Sequence, residues 1–216
     1  MKKKIAALTI AALLALALAG CGDVPAAENS SPAAGDEEIV VIEAETESGR
    51  QDGERFEAVI LLEGMEETVH YEHIRSESIG FEMDYDYEML ERRSDAEGEC
   101  FVPYTEGAED PWNYFELRYD TGNANLVADA LKASLSGSYD TVTEEEFSLE
   151  AAGACVLVQA SGAKAGVEPS GSLQRVYVIP TGEGCIVATV HCTYESAEGF
   201  GARANYMLHT LTVIED

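Results

Sequence analysis

The chain has little positive charge and offers no helix long enough to span a membrane. The apolar run from Ile5 to Gly20 falls short of the roughly 20 residues a helix needs to cross a bilayer, and acidic residues rather than a basic stop follow it. Only 13 Lys and Arg stand against 41 Asp and Glu, for a formal net charge of −28. A surface of that sign repels phosphate backbones and anionic headgroups, which argues against nucleic acid as a partner and against docking of the folded part itself on a membrane. Its plainest meaning is a solvated exterior that keeps an exported protein soluble. There is no Cys-x-x-Cys, so redox and zinc-ribbon roles lack support. Gly-x-Ser-x-Gly, His-Glu-x-x-His and phosphate-cradling glycine loops are missing too, as is any internal repeat.

What the chain does have is concentrated at its start. Lys2, Lys3 and Lys4 precede the apolar run, which ends in small residues and a cysteine, the order of a secretory signal. Leu18-Ala19-Gly20-Cys21 resembles the lipobox of a bacterial lipoprotein. That resemblance implies cleavage between Gly20 and Cys21, a diacylglycerol thioether on the Cys21 sulfur and an acylated, palmitate-type amino terminus. Several acyl chains on one residue anchor a protein stably where one chain would not. The implied location is the outer face of the bacterial cytoplasmic membrane, with the outer membrane also open, and the implied membrane partner acts through Cys21 alone. Taking the 3 signal lysines from the 13 basic residues leaves 10 against 41 acidic, a mature charge of −31.

Composition then divides the chain into a signal at 1–20, a lipidated cysteine with an acidic flexible tether at 21–54, and one globular domain at 55–216. Gly22 to Glu38 carries Pro25, Pro32 and Gly35 and almost no large apolar side chains, too little to order itself. Ile39-Val40-Val41-Ile42 reads either as an edge strand or as an isolated apolar patch. Strands are expected at Glu57 to Glu63, Glu67 to Arg75, Phe81 to Glu88 and Trp112 to Tyr119, and at Ala154 to Ala160, Leu173 to Ile179 and Cys185 to Tyr194. The clearest period is two: Phe81, Met83, Tyr85 and Tyr87 alternate with Glu82, Asp84, Asp86 and Glu88, predicting a half-buried strand with a wet acidic side. A helix carrying Leu126, Val127, Ala130, Leu131 and Leu135 on one face is capped by Thr121 or Asn123 and ended by Gly137. Tyr139 to Leu149 reads as an extended connection. A final helix presents Phe200, Ala204, Met207, Leu208 and Leu211, with Ser196 as its cap. Together these predict an α+β fold, a mostly antiparallel sheet with two packed helices.

The order of meander, helix, three strands and closing helix is similar to the PsbP-like fold of extrinsic lumenal photosystem II proteins and of many bacterial lipoproteins. Ile79-Gly80-Phe81-Glu82-Met83-Asp84-Tyr85 and the Ala202 to Leu211 helix carry the likeness. Where that family continues with Tyr-Pro-x-x-Trp, this chain has Tyr85-Asp86-Tyr87-Glu88-Met89. The resemblance implies an α/β/α sandwich over Glu57 to Val213 and transfers no functional residue.

Candidate chemistry is sparse. Cys100, Cys155, Cys185 and Cys192 belong to an exported protein, where disulfides persist, and four cysteines allow three pairings. Cys185 and Cys192 fall on opposite faces of one strand, which excludes a bridge between them; the others are equally readable as small buried apolar residues. In His70-Tyr71-Glu72-His73 the first histidine shares a face with Glu72 while His73 points away, and His191 likewise opposes Cys192. Such sets fall short of the three or four ligands a zinc site needs. Asp84, Asp86, Glu88 and Asp95 are spaced like a calcium loop but have Met89 at the glycine position and lack the closing glutamate. Ser161-Gly162-Ala163-Lys164 matches Ser-x-x-Lys without its partner motifs. No catalytic, cofactor or metal residue is assigned, and the expected role is binding or scaffolding at the cell envelope. A rival is an envelope hydrolase, for which a deep cleft with converging His, Ser or carboxylates would speak. A third reading is a divalent-cation binder through Glu82, Asp84, Asp86 and Glu88.

Overall fold

A computed structural model describes residues 41–43, 49–62, 65–95, 98–104 and 110–214. The signal segment, Cys21 and most of the tether lie outside the described residues. Two antiparallel sheets and two α-helices make an α+β fold. A five-stranded sheet runs in the order β1 (Val41–Glu43), β2 (Arg55–Leu62), β3 (Met65–Ser76), β4 (Phe81–Asp86) and β12 (Thr212–Val213). The second sheet has seven strands, in the order β5 (Leu90–Ser94), β6 (Gly98–Pro103), β7 (Tyr114–Asp120), β11 (Cys185–Thr193), β10 (Ser172–Pro180), β9 (Gly153–Ala163) and β8 (Tyr139–Leu149). The helices are α1 (Ala124–Leu135) and α2 (Ala202–Thr210), the latter entered through a 3-10 turn at Tyr194–Ser196 and a π turn at Ala197–Gly201.

The main core lies between the sheets. Phe81, Met83 and Tyr85 of β4 meet Phe101, Phe115, Leu117 and Ile186 of the larger sheet, and α2 adds Ala204, Met207 and Leu208 to the same cluster. Rings touch across the gap, Tyr85 to Phe101 with centroids 5.2 Å apart. A side chain buried fully in such a layer contributes about 1.5–3 kcal/mol. On the other face of the seven-stranded sheet, α1 packs its Ala124, Ala128 and Leu135 onto Val158, Ala160, Val176 and Val178. A third, smaller cluster on the far side of the five-stranded sheet joins Ala58, Ile60, Val69 and Tyr71 to Tyr206.

Most expected strands are found, with changes that have physical reasons. Two sheets replace the single one expected, because β4 pairs with β3 and β12 and the strands β5 to β11 pair only among themselves. Tyr139 to Leu149 is a full strand, since it pairs with β9 from Tyr139↔Ala163 to Leu149↔Gly153. Val41–Glu43 takes the edge-strand option by pairing with β2. Residues 49–54, assigned to the tether by composition, also join the fold: Gly53 N–H donates to the His73 carbonyl at 2.8 Å, and Asp52 accepts from Arg75 N–H at 2.9 Å. On α1 the buried stripe is rotated from the one expected. Small Ala128 lets the helix approach the sheet, while Leu126 and Ala130 point to solvent. Asn123, one of the two caps expected, accepts from Asn125 N–H. The Ser196 side chain makes no cap bond to the turn it precedes; Thr193 instead accepts from Ser196 N–H.

The largest correction concerns β4. Its aromatic face is buried as expected, but the opposite face is not wet, because Asp84 and Asp86 retain only 5% and 2% of their exposure. Helix α2 lies against β4 and covers that side: Thr210 Oγ1 accepts from Asp84 N–H at 3.0 Å, and Tyr206 stacks on Tyr71 with centroids 4.2 Å apart.

Candidate functional site

Buried carboxylates need partners, and β4 obtains them from four segments of the chain. Asp84 meets His73 Nδ1 at 2.7 Å and Arg50 at 3.6 Å. Asp86 faces Arg203 of α2 at 3.5 Å and accepts from the Glu88 and Met89 N–H groups of the next turn. Burial nonetheless pushes both carboxyls above the ordinary aspartate range; the His73 hydrogen bond and charge pull Asp84 back, and the Met89 N–H chiefly does so for Asp86. The same surroundings raise the Tyr71 and Tyr206 hydroxyls, again mainly through burial. Of the other acids in the cation reading, Glu82 pairs with Arg75 at 2.9 Å and Glu88 with His70 at 3.2 Å. Each acid of the four is thus turned toward an Arg or a His of the chain. Among the described residues no group of three or more His, Cys, Asp or Glu is placed to hold a metal ion.

The remaining sequence candidates are scattered. His70 and His73 fall on opposite faces of β3, as the alternation requires. Asp95 sits in the other sheet, accepting from Gly98 N–H in the β5–β6 turn, so no calcium loop forms with Asp84. Lys164 donates from Nζ to the Ser136 carbonyl at 2.6 Å, closing the carboxyl end of α1. His191 is held neutral by burial, and the short 2.6 Å contact of its Nδ1 with the Trp112 carbonyl puts the ring proton on Nδ1. The four described cysteines are free thiols. Cys185 and Cys192 lie on opposite faces, in the α1-side and inter-sheet clusters respectively. Cys155 shares a face with Cys192 but lies beyond the Val156↔Val178 pair, whereas Cys192 is opposite Leu173. Five or more residues, roughly 17 Å along the strand, therefore separate them. Burial pushes Cys155, Cys185 and Cys192 up to about 11, so all three are protonated at neutral pH.

The room for a ligand is elsewhere, in an open cleft of about 1000 Å³ at one end of the seven-stranded sheet. The loop from β7 into α1 forms one wall, the end of β8 and the start of β9 another, and the Pro180–Gly184 turn between β10 and β11 the rim. Thr121, Asn125, Ser148 and Thr181 offer hydroxyls and an amide, Glu146 and Glu183 bring carboxylates, and Phe147 and Val156 add apolar surface. Among the described residues no Lys, Arg or His lines it, and the thiol it contains there, Cys155, is one of the three protonated ones. Glycine fixes the rim by close approach: a Cβ on Gly184 would stand 2.3 Å from the Asp120 carbonyl oxygen. At Gly182, by contrast, a Cβ would meet nothing within 4 Å. The Pro180-Thr181-Gly182-Glu183-Gly184 turn and the Asn123 cap were readable from sequence. Their convergence with Glu146 required the strand order β7-β11-β10-β9-β8, which no local pattern encodes.

Comparison of the chain with known protein families and with curated proteins finds no match.

Proposed function

We propose that the chain is a lipid-anchored extracytoplasmic protein of the bacterial envelope that works by binding, with the cleft beside α1 as its ligand site. The anchor is the diacylglyceryl-modified Cys21, and residues 22 onward tether the domain to the membrane. The cleft carries the binding reading: it is open, it combines hydrogen-bonding side chains and apolar surface with a protonated thiol, and its carboxylates, Glu146 of β8 and Glu183 of the β10–β11 turn, come from separate elements. Such a lining suits capture of a small polar ligand better than turnover. Within the α+β architecture we also read a PsbP-like α/β/α arrangement; the support is that α1 packs on one face of the seven-stranded sheet while Ala204, Met207 and Leu208 of α2 join the cluster on its other face, beside the five-stranded sheet.

Two measurements test this reading. Mass spectrometry of the processed protein is expected to find a diacylglyceryl group on an amino-terminal Cys21; an unmodified front end with Met1 retained overturns the anchor. Incubation of the full chain with cell-wall, peptide, ester and sugar-polymer substrates is expected to give no turnover. Reproducible turnover that disappears in Gly182→Trp, which fills the cleft without a backbone clash, overturns binding in favour of the hydrolase.

A further inference from the structure

At the end of the seven-stranded sheet away from the cleft, β5 begins, β6 ends, β7 begins and β11 ends. Large side chains stand in solvent at all four places: Met89 is 49% exposed, Tyr104 66%, Trp112 40% and Tyr194 42%. Their backbones are held in place. Tyr104 N–H donates to the Met89 carbonyl at 2.8 Å, and Trp112 is fixed by its own N–H to Asp110 at 2.9 Å and by His191 at its carbonyl. Next to Trp112, Asn113 accepts from Thr193 N–H at 3.1 Å and from the Ser196 hydroxyl, tying β7 to the end of β11. The Tyr194 hydroxyl accepts from Gly162 N–H at 3.0 Å. Rings on a fixed backbone lose little freedom when a partner covers them, and Trp, Tyr and Met are the residue types concentrated at the desolvated centres of interfaces.

Charge selects the occupant. Glu195 is exposed next to Tyr194 and Glu88, beside Met89, is exposed with only a histidine as its partner, and the whole chain carries −28. The two arginines of β5 are already paired, Arg92 with Glu99 at 2.9 Å and Arg93 with Glu91 at 3.1 Å. Nucleic acid, anionic lipid and acidic proteins are repelled by such a surface, whereas a basic partner is steered to it. The chain uses the matching contact internally: Arg50 lies 3.7 Å over the Phe56 ring and Arg55 4.2 Å over Tyr87. We propose that Met89, Tyr104, Trp112 and Tyr194 form a docking surface for an arginine- and lysine-bearing segment of a partner protein. Guanidinium groups of that segment stack on Trp112 and Tyr104, and the surrounding glutamates balance its charge.

Trp112 is the chain's single tryptophan, so its emission reports on this surface alone. The experiment titrates a synthetic Arg- and Lys-rich peptide into the full-length protein in nonionic detergent, reading Trp112 emission and the anisotropy of a labelled copy of the peptide. The expected result is a saturable emission change and an affinity that falls by about tenfold or more in Tyr104→Ala and, by anisotropy, in Trp112→Ala. Binding also weakens as salt rises from about 50 to about 500 mM. The proposal is overturned by the lack of saturable binding, or by binding that leaves Trp112 emission unchanged or is equally tight in both variants. It is overturned as well if a chito-oligosaccharide or an anionic vesicle, and not the peptide, shifts the emission. Both substituted side chains are exposed, and circular dichroism matching the parent protein confirms that the variants fold. The surface is remote from the cleft, so Gly182→Trp, read by anisotropy because it carries a second tryptophan, is expected to leave peptide binding unchanged whatever becomes of the cleft reading.

Discussion

Replacing Tyr71 by Phe is expected to make the protein more stable. Tyr71 is fully buried, and its hydroxyl has no hydrogen-bond partner among the described residues. Such a group has given up water without recompense, at a cost of about 1–3 kcal/mol. The ring itself is well placed, stacked on Tyr206 at 4.2 Å and tilted against Phe56 at 5.7 Å, and phenylalanine keeps both contacts. Ionisation gives the hydroxyl no alternative, because burial and the negative Asp86 and Asp84 push its proton loss far above the ordinary tyrosine range. The variant should therefore gain about 1–2 kcal/mol, which for a chain of this size raises Tm by about 2–4 °C per kcal/mol. Urea unfolding followed by far-ultraviolet circular dichroism measures it, with an unchanged m-value showing that the gain lies in stability. Tyr71→Leu supplies the contrast: it also removes the hydroxyl but loses the stack, and should cost about 2–4 kcal/mol. A Tyr71→Phe variant less stable than its parent by more than about 0.5 kcal/mol would refute the reasoning, since the oxygen would then be making a bond worth keeping.

Burial raises Asp84 above its ordinary value of 3.8, so the folded protein holds this proton at pH values where the unfolded chain has released it. Stability drawn from this site thus falls as pH rises above 3.8, and Asp84→Asn should improve relative to wild type over that rise; denaturant midpoints across the range give the difference curve. Gly184→Ala should destabilise by about 2 kcal/mol or more, because the added Cβ meets the Asp120 backbone, whereas Gly182→Ala should stay within about 0.5 kcal/mol; thermal melts separate them. Leu117→Ala, in the core between the sheets, should cost about 2–5 kcal/mol in urea unfolding. Cys155, Cys185 and Cys192 should react with a neutral-pH thiol reagent only after denaturation, since burial holds them protonated at about 11; rapid labelling of the folded protein at any of the three would contradict that.

Patterns set by a residue's immediate neighbours were legible in the sequence, and those set by distant chain segments were not. Alternation placed Phe81, Met83 and Tyr85 on the buried face of β4, and the same logic separated Cys185 from Cys192. It could not say what lay over the acidic face, because the cover comes from α2, more than 100 residues away, through Arg203, Tyr206 and Thr210. The β5–β6 hairpin went unread because charged residues crowd it. Arg92 and Glu99 look like solvent residues, yet they form a two-pronged pair at 2.9 Å with Glu99 buried, a bond across two strands that no local pattern signals. On α1 the large residues suggested one buried stripe, but close packing on the sheet favoured the small Ala128 over Leu126. The cleft was hidden for the same reason as the acidic cover, since it is assembled from three connections that only the strand order brings together.

Strand β8 ends the seven-stranded sheet, and among the described residues no strand pairs with the outer edge of its 11 residues. Along it Glu144, Glu145 and Glu146 are exposed in succession. Two copies approaching edge to edge would bring these rows of like charge together, a mismatch that opposes zippering into a continuous ribbon. On a plane of the kind the proposed anchor would impose, molecules meet far more often than they do in free solution, and there such a guard would keep copies apart.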